Sequence, residues 1–221
     1  MPFFMKPRIK ICCISSIEEA NLAIACGAAA LGLVGKMPSG PGVISDAEIF
    51  EIAGSVPPPI ATFLLTSATN SKDIITHYKR VQTNTIQIVD ELTDKTYHEI
   101  RAALPGVKLV QVIHVLDERS VTEACELAAS VDAILLDSGN PRLAVKELGG
   151  TGRVHNWDVS RRIVETCGKP VFLAGGINAG NVRKAFEKVA PFGFDLCSSV
   201  RTDGRLDRAK LEGFFAEIEK L

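Results

Sequence analysis

Short apolar runs alternate with amphipathic stretches along the whole chain. The apolar runs are continuous rather than alternating and rich in β-branched residues, which is typical of strands buried on both faces. They predict eight strands, at Ile9–Cys13, Ala30–Val34, Ile60–Leu65, Thr85–Val89, Lys108–Ile113, Ala133–Asp137, Pro170–Ala174 and Phe194–Ser198.

The amphipathic stretches between these runs predict helices. One of them opens with Ser45-Asp46-Ala47-Glu48, which is typical of a capping box. The predicted helices are Glu18–Cys26, Ser45–Ala53, Ser71–Val81, Thr96–Leu104, Ser120–Ala129, Asp158–Cys167, Asn181–Val189 and Arg208–Lys220.

Eight strand–helix units fit two architectures, a closed parallel barrel or an open doubly wound sheet. The repeat number and the length of 221 residues favour the barrel. No GxGxxG follows the first strand, which weakens a dinucleotide-binding interpretation. We therefore predict one (β/α)8 TIM-barrel domain over residues 1–221.

Composition narrows the functional classes. The 25 basic and 26 acidic residues are spread along the chain, without the basic cluster of a nucleic-acid-binding protein. No stretch approaches 18 apolar residues, and the N-terminus lacks the features of a signal peptide, so we expect a cytoplasmic protein that does not contact membranes. The six cysteines show no CxxC or metal-ligand spacing, so reduced thiols without a metal site are expected.

Active sites of this fold lie at the C-terminal ends of the strands, and small residues are concentrated there. Glycines let backbone N–H groups approach a phosphate closely. A single glycine pair could simply form a tight turn. Here, however, three segments of small residues converge on the same rim: 149–152, 175–176 and 198–199. The predicted phosphate-binding residues are Gly150, Thr151, Gly175, Gly176, Ser198 and Ser199, and the cations Lys10 and Lys36 complete the predicted substrate-binding set.

Asp137 and Cys12 are the candidate catalytic residues. Asp137 ends an apolar strand, where burial raises the pKa of a carboxyl and suits it to proton donation; capping the next loop or pairing with a cation is the alternative. Cys12 shares a strand face with Lys10, and Cys13 takes the other face by alternation. A thiol near a cation can act as a base or nucleophile, although Cys12 could also be a buried core residue and Lys10 could only line the barrel.

The four histidines form no cluster in the sequence. His77 and His98 fall in predicted helices, so we expect them at the surface. His114 ends the fifth strand and could reach the site, or could be a rim residue whose hydrogen bonds are satisfied by the protein itself.

Several of these motifs resemble the phosphoribosylanthranilate isomerases of tryptophan biosynthesis, in order and over nearly the whole chain. They are Lys10-Ile11-Cys12, Leu135-Leu136-Asp137, Gly149-Gly150-Thr151-Gly152 with Asn156-Trp157-Asp158, and Leu173-Ala174-Gly175-Gly176-Ile177-Asn178 with Asn181-Val182.

The resemblance implies an Amadori rearrangement of a small phosphorylated substrate without metal or organic cofactor. Cys12 would be the general base that takes the C2′ proton, and Asp137 the general acid that protonates the ribose ring oxygen. The backbone around Gly150, Gly175, Gly176, Ser198 and Ser199 would hold the phosphate. We expect a monomer or a homodimer.

The chain departs from the family pattern around the substrate. Cys13 replaces a glycine, and the loop after the second strand lacks the arginine that meets the anthranilate end. Lys36 is the only cation in that loop and Arg201 the other candidate replacement; a lysine is not an equivalent carboxylate clamp. A related isomerase or epimerase of another phosphosugar, or a catalytically silent phosphosugar-binding protein, therefore stays open, although retention of Cys12 and Asp137 counts against the silent alternative.

Overall fold

Eight parallel strands close into one barrel in the computed structural model, which describes residues 6–93, 96–139 and 154–221. The first strand pairs with both the second and the last, so the sheet has no edge. The strands are β1 (Arg8–Ile11), β2 (Ala30–Val34), β3 (Ala61–Thr66), β4 (Thr85–Ile88), β5 (Lys108–His114), β6 (Ala133–Asp137), β7 (Val171–Leu173) and β8 (Gly193–Leu196).

Helices follow the strands around the outside of the barrel. They are α1 (Ile17–Ala25), α2 (Asp46–Ser55), α3 (Ser71–Val81), α4 (Tyr97–Ala103), α5 (Arg119–Ala128), α6 (Trp157–Thr166), α7 (Val182–Val189) and α8 (Arg208–Glu219). The predicted (β/α)8 fold is confirmed, and no predicted bound differs from the observed one by more than two residues. None of the helices in the described ranges is long and apolar enough to cross a bilayer.

The capping box predicted at the second helix is present. Ser45 Oγ accepts a hydrogen bond from the Glu48 backbone N–H at 3.2 Å, and the Glu48 carboxylate accepts one from the Ser45 N–H at 2.7 Å. These two bonds satisfy backbone donors that have no partner inside the helix.

Side chains fill the interior of the barrel. The Phe63 and Phe172 rings meet edge to face with centroids 6.0 Å apart, and Val110, Val112 and Leu135 pack in the same inner cluster. The outward-facing residues of the strands pack against the helices in a second, larger cluster. Because side chains occupy the interior, the site that this fold offers a ligand lies above the C-terminal ends of the strands.

A short hairpin after β8 was not predicted. Strands β9 (Arg201–Thr202) and β10 (Arg205–Leu206) pair antiparallel around Asp203 and Gly204, which both have positive φ, 49° and 78°. An Asp-Gly pair suits such a two-residue turn. Strands of two residues are too short to give a hydrophobic pattern.

The prediction that His77 lies at the surface was wrong, because its side chain is buried against the end of β3 and the start of α2. The residue is 8% exposed; Nδ1 lies 3.2 Å from Thr66 Oγ1 and Nε2 lies 3.1 Å from Asp46 Oδ1. Gly35 makes room for this ring, since a Cβ there would collide with it. His98 is exposed, as expected.

His77→Gln should weaken the acid dependence of stability. Burial lowers the pKa of His77 below its ordinary 6.5, the Asp46 carboxylate opposes this shift, and Arg80 adds to it. A lowered pKa means that the folded state disfavours protonation. The stability contributed by neutral His77 is therefore present above the ordinary pKa and is lost as the pH falls through the lower folded value.

Urea unfolding at about pH 7 and about pH 5, on either side of an ordinary histidine pKa, tests this expectation. The free energy of unfolding should fall more in wild type than in His77→Gln. His98→Gln, at the exposed histidine of α4, is the control and should follow wild type. Equal acid losses in all three proteins would contradict the assignment.

Candidate active site

The loops that follow the strands enclose a solvent-open cavity of about 730 Å³. Its wall combines residues that lie far apart in the sequence but end neighbouring strands. Six residues predicted from the sequence line it, namely Cys12, Asp137, Gly175, Gly176, Ser198 and Ser199.

Cys12 directly follows β1 and is held by the neighbouring last strand. Its backbone N–H donates to the Leu196 carbonyl at 2.7 Å, and the residue is 6% exposed. A Cβ at Gly32 would lie 2.9 Å from Cys12 Sγ and 3.0 Å from Lys10 Nζ. The glycine on β2 therefore leaves space that the thiol and the ammonium share.

Lys10 lies beneath the cavity and is completely buried. Its Nζ is 2.9 Å from Asp195 Oδ1 on β8 and 5.3 Å from the centroid of the Phe63 ring. Burial alone lowers the pKa of Lys10, but the Asp195 carboxylate outweighs it, so the pKa is raised and the ammonium is retained. Lys10 thus places a fixed positive charge below Cys12, whereas Asp195, not Lys10, reaches the cavity wall.

Asp137 ends β6, and the residue is 8% exposed. Burial raises the pKa of Asp137, and the hydrogen bond from the Ser138 N–H at 2.7 Å, together with the charges of His114 and Lys10, offsets only part of that shift. The protonated carboxyl therefore persists to higher pH than for an ordinary aspartate, as a proton donor requires.

His114 ends β5 beside Asp137 but does not line the cavity. Its Nε2 lies 3.1 Å from the Val89 carbonyl, which turns the ring toward the neighbouring strand. His114 is therefore a rim residue, but the expectation that the protein satisfies its hydrogen bonds is only half met, because its buried Nδ1 has no partner within the described residues.

The segment after β7 is a glycine turn fixed by two asparagines. Gly175 and Gly176 have φ of 79° and 67°, in the region where a side chain is strained. The side-chain amides of Asn178 and Asn181 donate to the Gly176 carbonyl at 3.0 and 2.9 Å. These bonds fix the turn on the cavity wall. The sequence showed both asparagines only as parts of a motif and gave no sign of these bonds.

The segment after β8 is a single 3-10 turn, Ser198–Val200, whose first two residues line the same wall. Ser199 Oγ is buried, and no hydrogen-bond partner for it exists in the part of the chain that the structure describes. A buried hydroxyl without a partner is costly. An anion at the mouth between β7 and β8 would supply the missing acceptor.

Two of the predicted phosphate-binding residues, Gly150 and Thr151, lie outside the described residues. Within residues 6–93, 96–139 and 154–221, no group of three or more His, Cys, Asp or Glu side chains is arranged to hold a metal ion.

Lys36 lies in the exposed part of the loop after β2, and its neighbours Met37 and Pro41, not Lys36 itself, line the cavity. The backbone carbonyl of Lys36 accepts a hydrogen bond from Ser67 Oγ at 3.2 Å. Its role as a substrate-binding residue stays a prediction.

Arg201 is occupied inside the protein. Its guanidinium contacts the Glu19 carboxylate at 2.9 Å and donates to the carbonyls of Cys12 and Cys13 at 3.2 and 2.6 Å, with the side chain 8% exposed. It therefore ties α1 and the end of β1 to the hairpin after β8. These contacts leave it unsuited to replace the loop arginine.

Strand alternation predicted that Cys13 faces away from Cys12, and this prediction was wrong. The Cys13 φ of 63° breaks the alternation, and the Cys13 thiol lines the same cavity. The Sγ atoms of Cys13 and Cys197 are 2.9 Å apart. The left-handed backbone explains why glycine suits this position in the family pattern.

Arg201→Met should lower the free energy of unfolding by about 3 kcal/mol, because it leaves the largely buried Glu19 carboxylate and two carbonyls without their donor. Urea unfolding measures the loss. The matched control is Arg161→Met, which removes an exposed pair with Glu165 and should cost about 0.5 kcal/mol. Equal losses in the two variants would contradict a structural role for the Arg201 contacts.

Comparison with known proteins agrees with this geometry. A family model described as N-(5'-phosphoribosyl)anthranilate (PRA) isomerase matches residues 9–217. N-(5'-phosphoribosyl)anthranilate isomerase 2 of Methanosarcina mazei is 32% identical over 94% of this chain and 92% of its own. The crystal structure of phosphoribosyl anthranilate isomerase from Thermotoga maritima superposes with a TM-score of 0.80, at 25% identity, over 97% of this chain and all of its own.

A further solved structure of such an isomerase holds reduced 1-(o-carboxyphenylamino)-1-deoxyribulose 5-phosphate. It superposes with a TM-score of 0.77 at 24% identity, over 97% of this chain and all of its own. The match of the family model over almost the whole barrel decides the assignment: this chain belongs to the phosphoribosylanthranilate isomerase family.

Proposed function

We propose that this chain is a cytoplasmic isomerase that converts N-(5′-phosphoribosyl)anthranilate to 1-(o-carboxyphenylamino)-1-deoxyribulose 5-phosphate, a step of tryptophan biosynthesis. The observation that carries the proposal is that Cys12 and Asp137 line one cavity together with the small-residue segments after β7 and β8. The membership of the chain in the isomerase family supports the substrate.

The phosphate of the substrate binds between the glycine turn and the 3-10 turn. Gly175 and Gly176 offer an unobstructed backbone, and Ser199 Oγ gains its missing partner. Backbone N–H groups at the start of a helical turn favour an anion. This anchor places the ribose over the centre of the barrel.

Asp137 donates the first proton. The buried, protonated carboxyl gives its proton to the furanose ring oxygen, the C1′–O bond breaks, and the anthranilate nitrogen takes up the positive charge as an iminium ion. The raised pKa of Asp137 keeps the acid form available, and the charge left on the carboxylate is stabilised by the Ser138 N–H.

Cys12 accepts the second proton. Its thiolate removes the C2′ proton, and the electron pair moves toward the iminium carbon to give an enolamine. Lys10 lies beneath this step as a buried cation that attracts the thiolate. The enolamine then takes a proton at C1′ and loses the one on the 2′ oxygen, which yields the ketose.

A different phosphosugar is the second candidate substrate. The wall formed by the loop after β2 presents Met37 and Pro41, and Lys36 does not line the cavity. That apolar wall accommodates an aromatic ring but brings no charge from this loop to a carboxylate. The phosphate anchor and the acid–base pair would serve either substrate.

We also expect the protein to be a monomer or a homodimer.

Turnover of phosphoribosylanthranilate tests the proposal. The substrate is generated in the cuvette from anthranilate and phosphoribosyl pyrophosphate by an anthranilate phosphoribosyltransferase, and loss of anthranilate-type fluorescence reports the reaction. Cys12→Ser and Asp137→Asn should each lower kcat by about 10²–10⁴-fold, the range for removal of a general acid or base. Each KM should change little because the phosphate anchor is retained.

Two further variants identify the base. Cys125→Ser, at an exposed cysteine on α5, should retain wild-type activity. Cys13→Ser should retain far more activity than Cys12→Ser, and the reverse order would assign the base to Cys13. If folded wild type binds a phosphosugar without converting phosphoribosylanthranilate, the second candidate substrate replaces the first. If neither Cys12→Ser nor Asp137→Asn lowers the activity, the roles proposed for Cys12 and Asp137 are wrong.

Ser199→Ala should raise KM by about tenfold with little change in kcat, which corresponds to about 1.4 kcal/mol of binding. The phosphate lies away from the reacting carbons, so its contact binds substrate and transition state alike. The inhibition constant of inorganic phosphate should rise in parallel. Ser55→Ala, at the far end of α2, is the control, and a fall in kcat at constant KM would contradict phosphate binding by Ser199.

A further inference from the structure

Cys13 and Cys197 face each other across the seam that closes the barrel. Cys13 lies two residues beyond β1, and Cys197 immediately follows β8. The two strands are paired, with Ile11 opposite Leu196. Paired strands lie about 4.8 Å apart and one residue adds about 3.3 Å along a strand, so two such Cα atoms fall within the about 4.4–6.8 Å that disulfides span.

The two sulfur atoms are already in contact. Their separation is 2.9 Å, and forming an S–S bond of about 2.05 Å requires an approach of less than about 1 Å. The loop after β2 holds the Cys13 thiol in place: the Pro41 carbonyl lies 3.6 Å from Sγ, and a Cβ at Gly42 would lie 2.5 Å from Cys13 Cβ. Neither thiol is needed for the acid–base steps above.

The surroundings divide the pair into a nucleophile and a protonated partner. The hydrogen-bond contact with the Cys13 sulfur lowers the pKa of Cys197; burial opposes this shift, and the charge of Arg201 adds to it. Hydrogen bonding with the Cys12 thiol, and then with the Cys197 thiol, raises the pKa of Cys13, and burial adds to this shift. Cys197 is also the more exposed of the two and lies on the cavity wall, where a small molecule reaches it.

We propose that Cys13 and Cys197 form a reversible disulfide across the active-site cavity, with a low-molecular-weight disulfide as the oxidant. The Cys197 thiolate attacks one sulfur of that disulfide and releases the first small thiolate. Cys13 then loses its proton and attacks the Cys197 sulfur, which releases the second. Two protein thiols and one small disulfide thus become one protein disulfide and two small thiols.

The geometry does not favour other disulfides, either between Cys12 and Cys13 or at Cys125. Cys12 and Cys13 are adjacent, and consecutive Cα atoms are about 3.8 Å apart, shorter than disulfides normally span. Cys125 is exposed on α5 and has Thr166 as its partner at 3.6 Å. Cys125 can form a mixed disulfide with a small thiol, but no second cysteine contacts it among the residues that the structure describes.

The cross-link joins the residue after the proposed base to the residue before Ser198 and Ser199. Closing it pulls on Cys12 and on the phosphate segment at the same time. A displacement of about 1 Å in such groups can cost roughly 100-fold in rate, so we expect a roughly 100-fold loss of isomerase activity that a dithiol reductant reverses. Only this activity effect rests on the proposed function.

The chemical test needs no substrate. Reduced wild type is incubated with hydroxyethyl disulfide, and cross-linked tryptic peptides are assigned by tandem mass spectrometry. The expected product is a protein two hydrogens lighter, with Cys13 joined to Cys197. Cys13→Ser and Cys197→Ser should instead stop at a mixed disulfide or stay reduced, whereas Cys125→Ser should form the cross-link as wild type does.

Isomerase activity is then measured in the same samples before and after oxidation. The ratio of oxidised to reduced activity should drop in wild type and in Cys125→Ser, and should stay near unity in Cys197→Ser. The proposal is overturned if oxidation modifies Cys125 but leaves Cys13 and Cys197 reduced, or if the cross-link contains Cys12. Cross-linking in a protein that never turns over phosphoribosylanthranilate supports the disulfide and rejects the proposed function instead.

Discussion

The structure depends on the pairing of its first strand with its last. β1 and β8 are remote in sequence, yet their registered pairing brings Lys10 to Asp195 and the Cys12 backbone to the Leu196 carbonyl. Beyond the strand ends the same seam places Arg201 on the carbonyls of Cys12 and Cys13. The proposed base and one side of the proposed phosphate site are therefore consequences of a single closure.

Burial acts differently on the two charged elements of the site. At Lys10 a carboxylate partner compensates for burial, so a cation persists in the barrel interior. At Asp137 the compensation is partial, and the carboxyl tends toward its neutral form. One apolar enclosure thus provides both a fixed positive charge and a proton donor, and the difference lies in the partners that each side chain receives.

The sequence predicted the barrel because its strands are buried on both faces and carry an unbroken apolar pattern. It placed Cys12, Asp137, Gly175 and Ser199 on one rim because strand ends of a parallel barrel converge. The pattern reports whether a residue is apolar and not which backbone angles it adopts. For that reason the sequence did not predict the left-handed backbone at Cys13 or the burial of His77.

The Lys10–Asp195 pair also bears on the order of folding, since its members are separated by 185 residues. A nascent chain that has collapsed around β1 to β7 holds an ammonium in an apolar interior without its counter-ion, a penalty of several kcal/mol per ion in protein interiors. Incomplete barrels that bury Lys10 are thereby disfavoured. The buried charge therefore favours the complete barrel, in which β8 brings Asp195 to Lys10, over partly folded forms that lack β8.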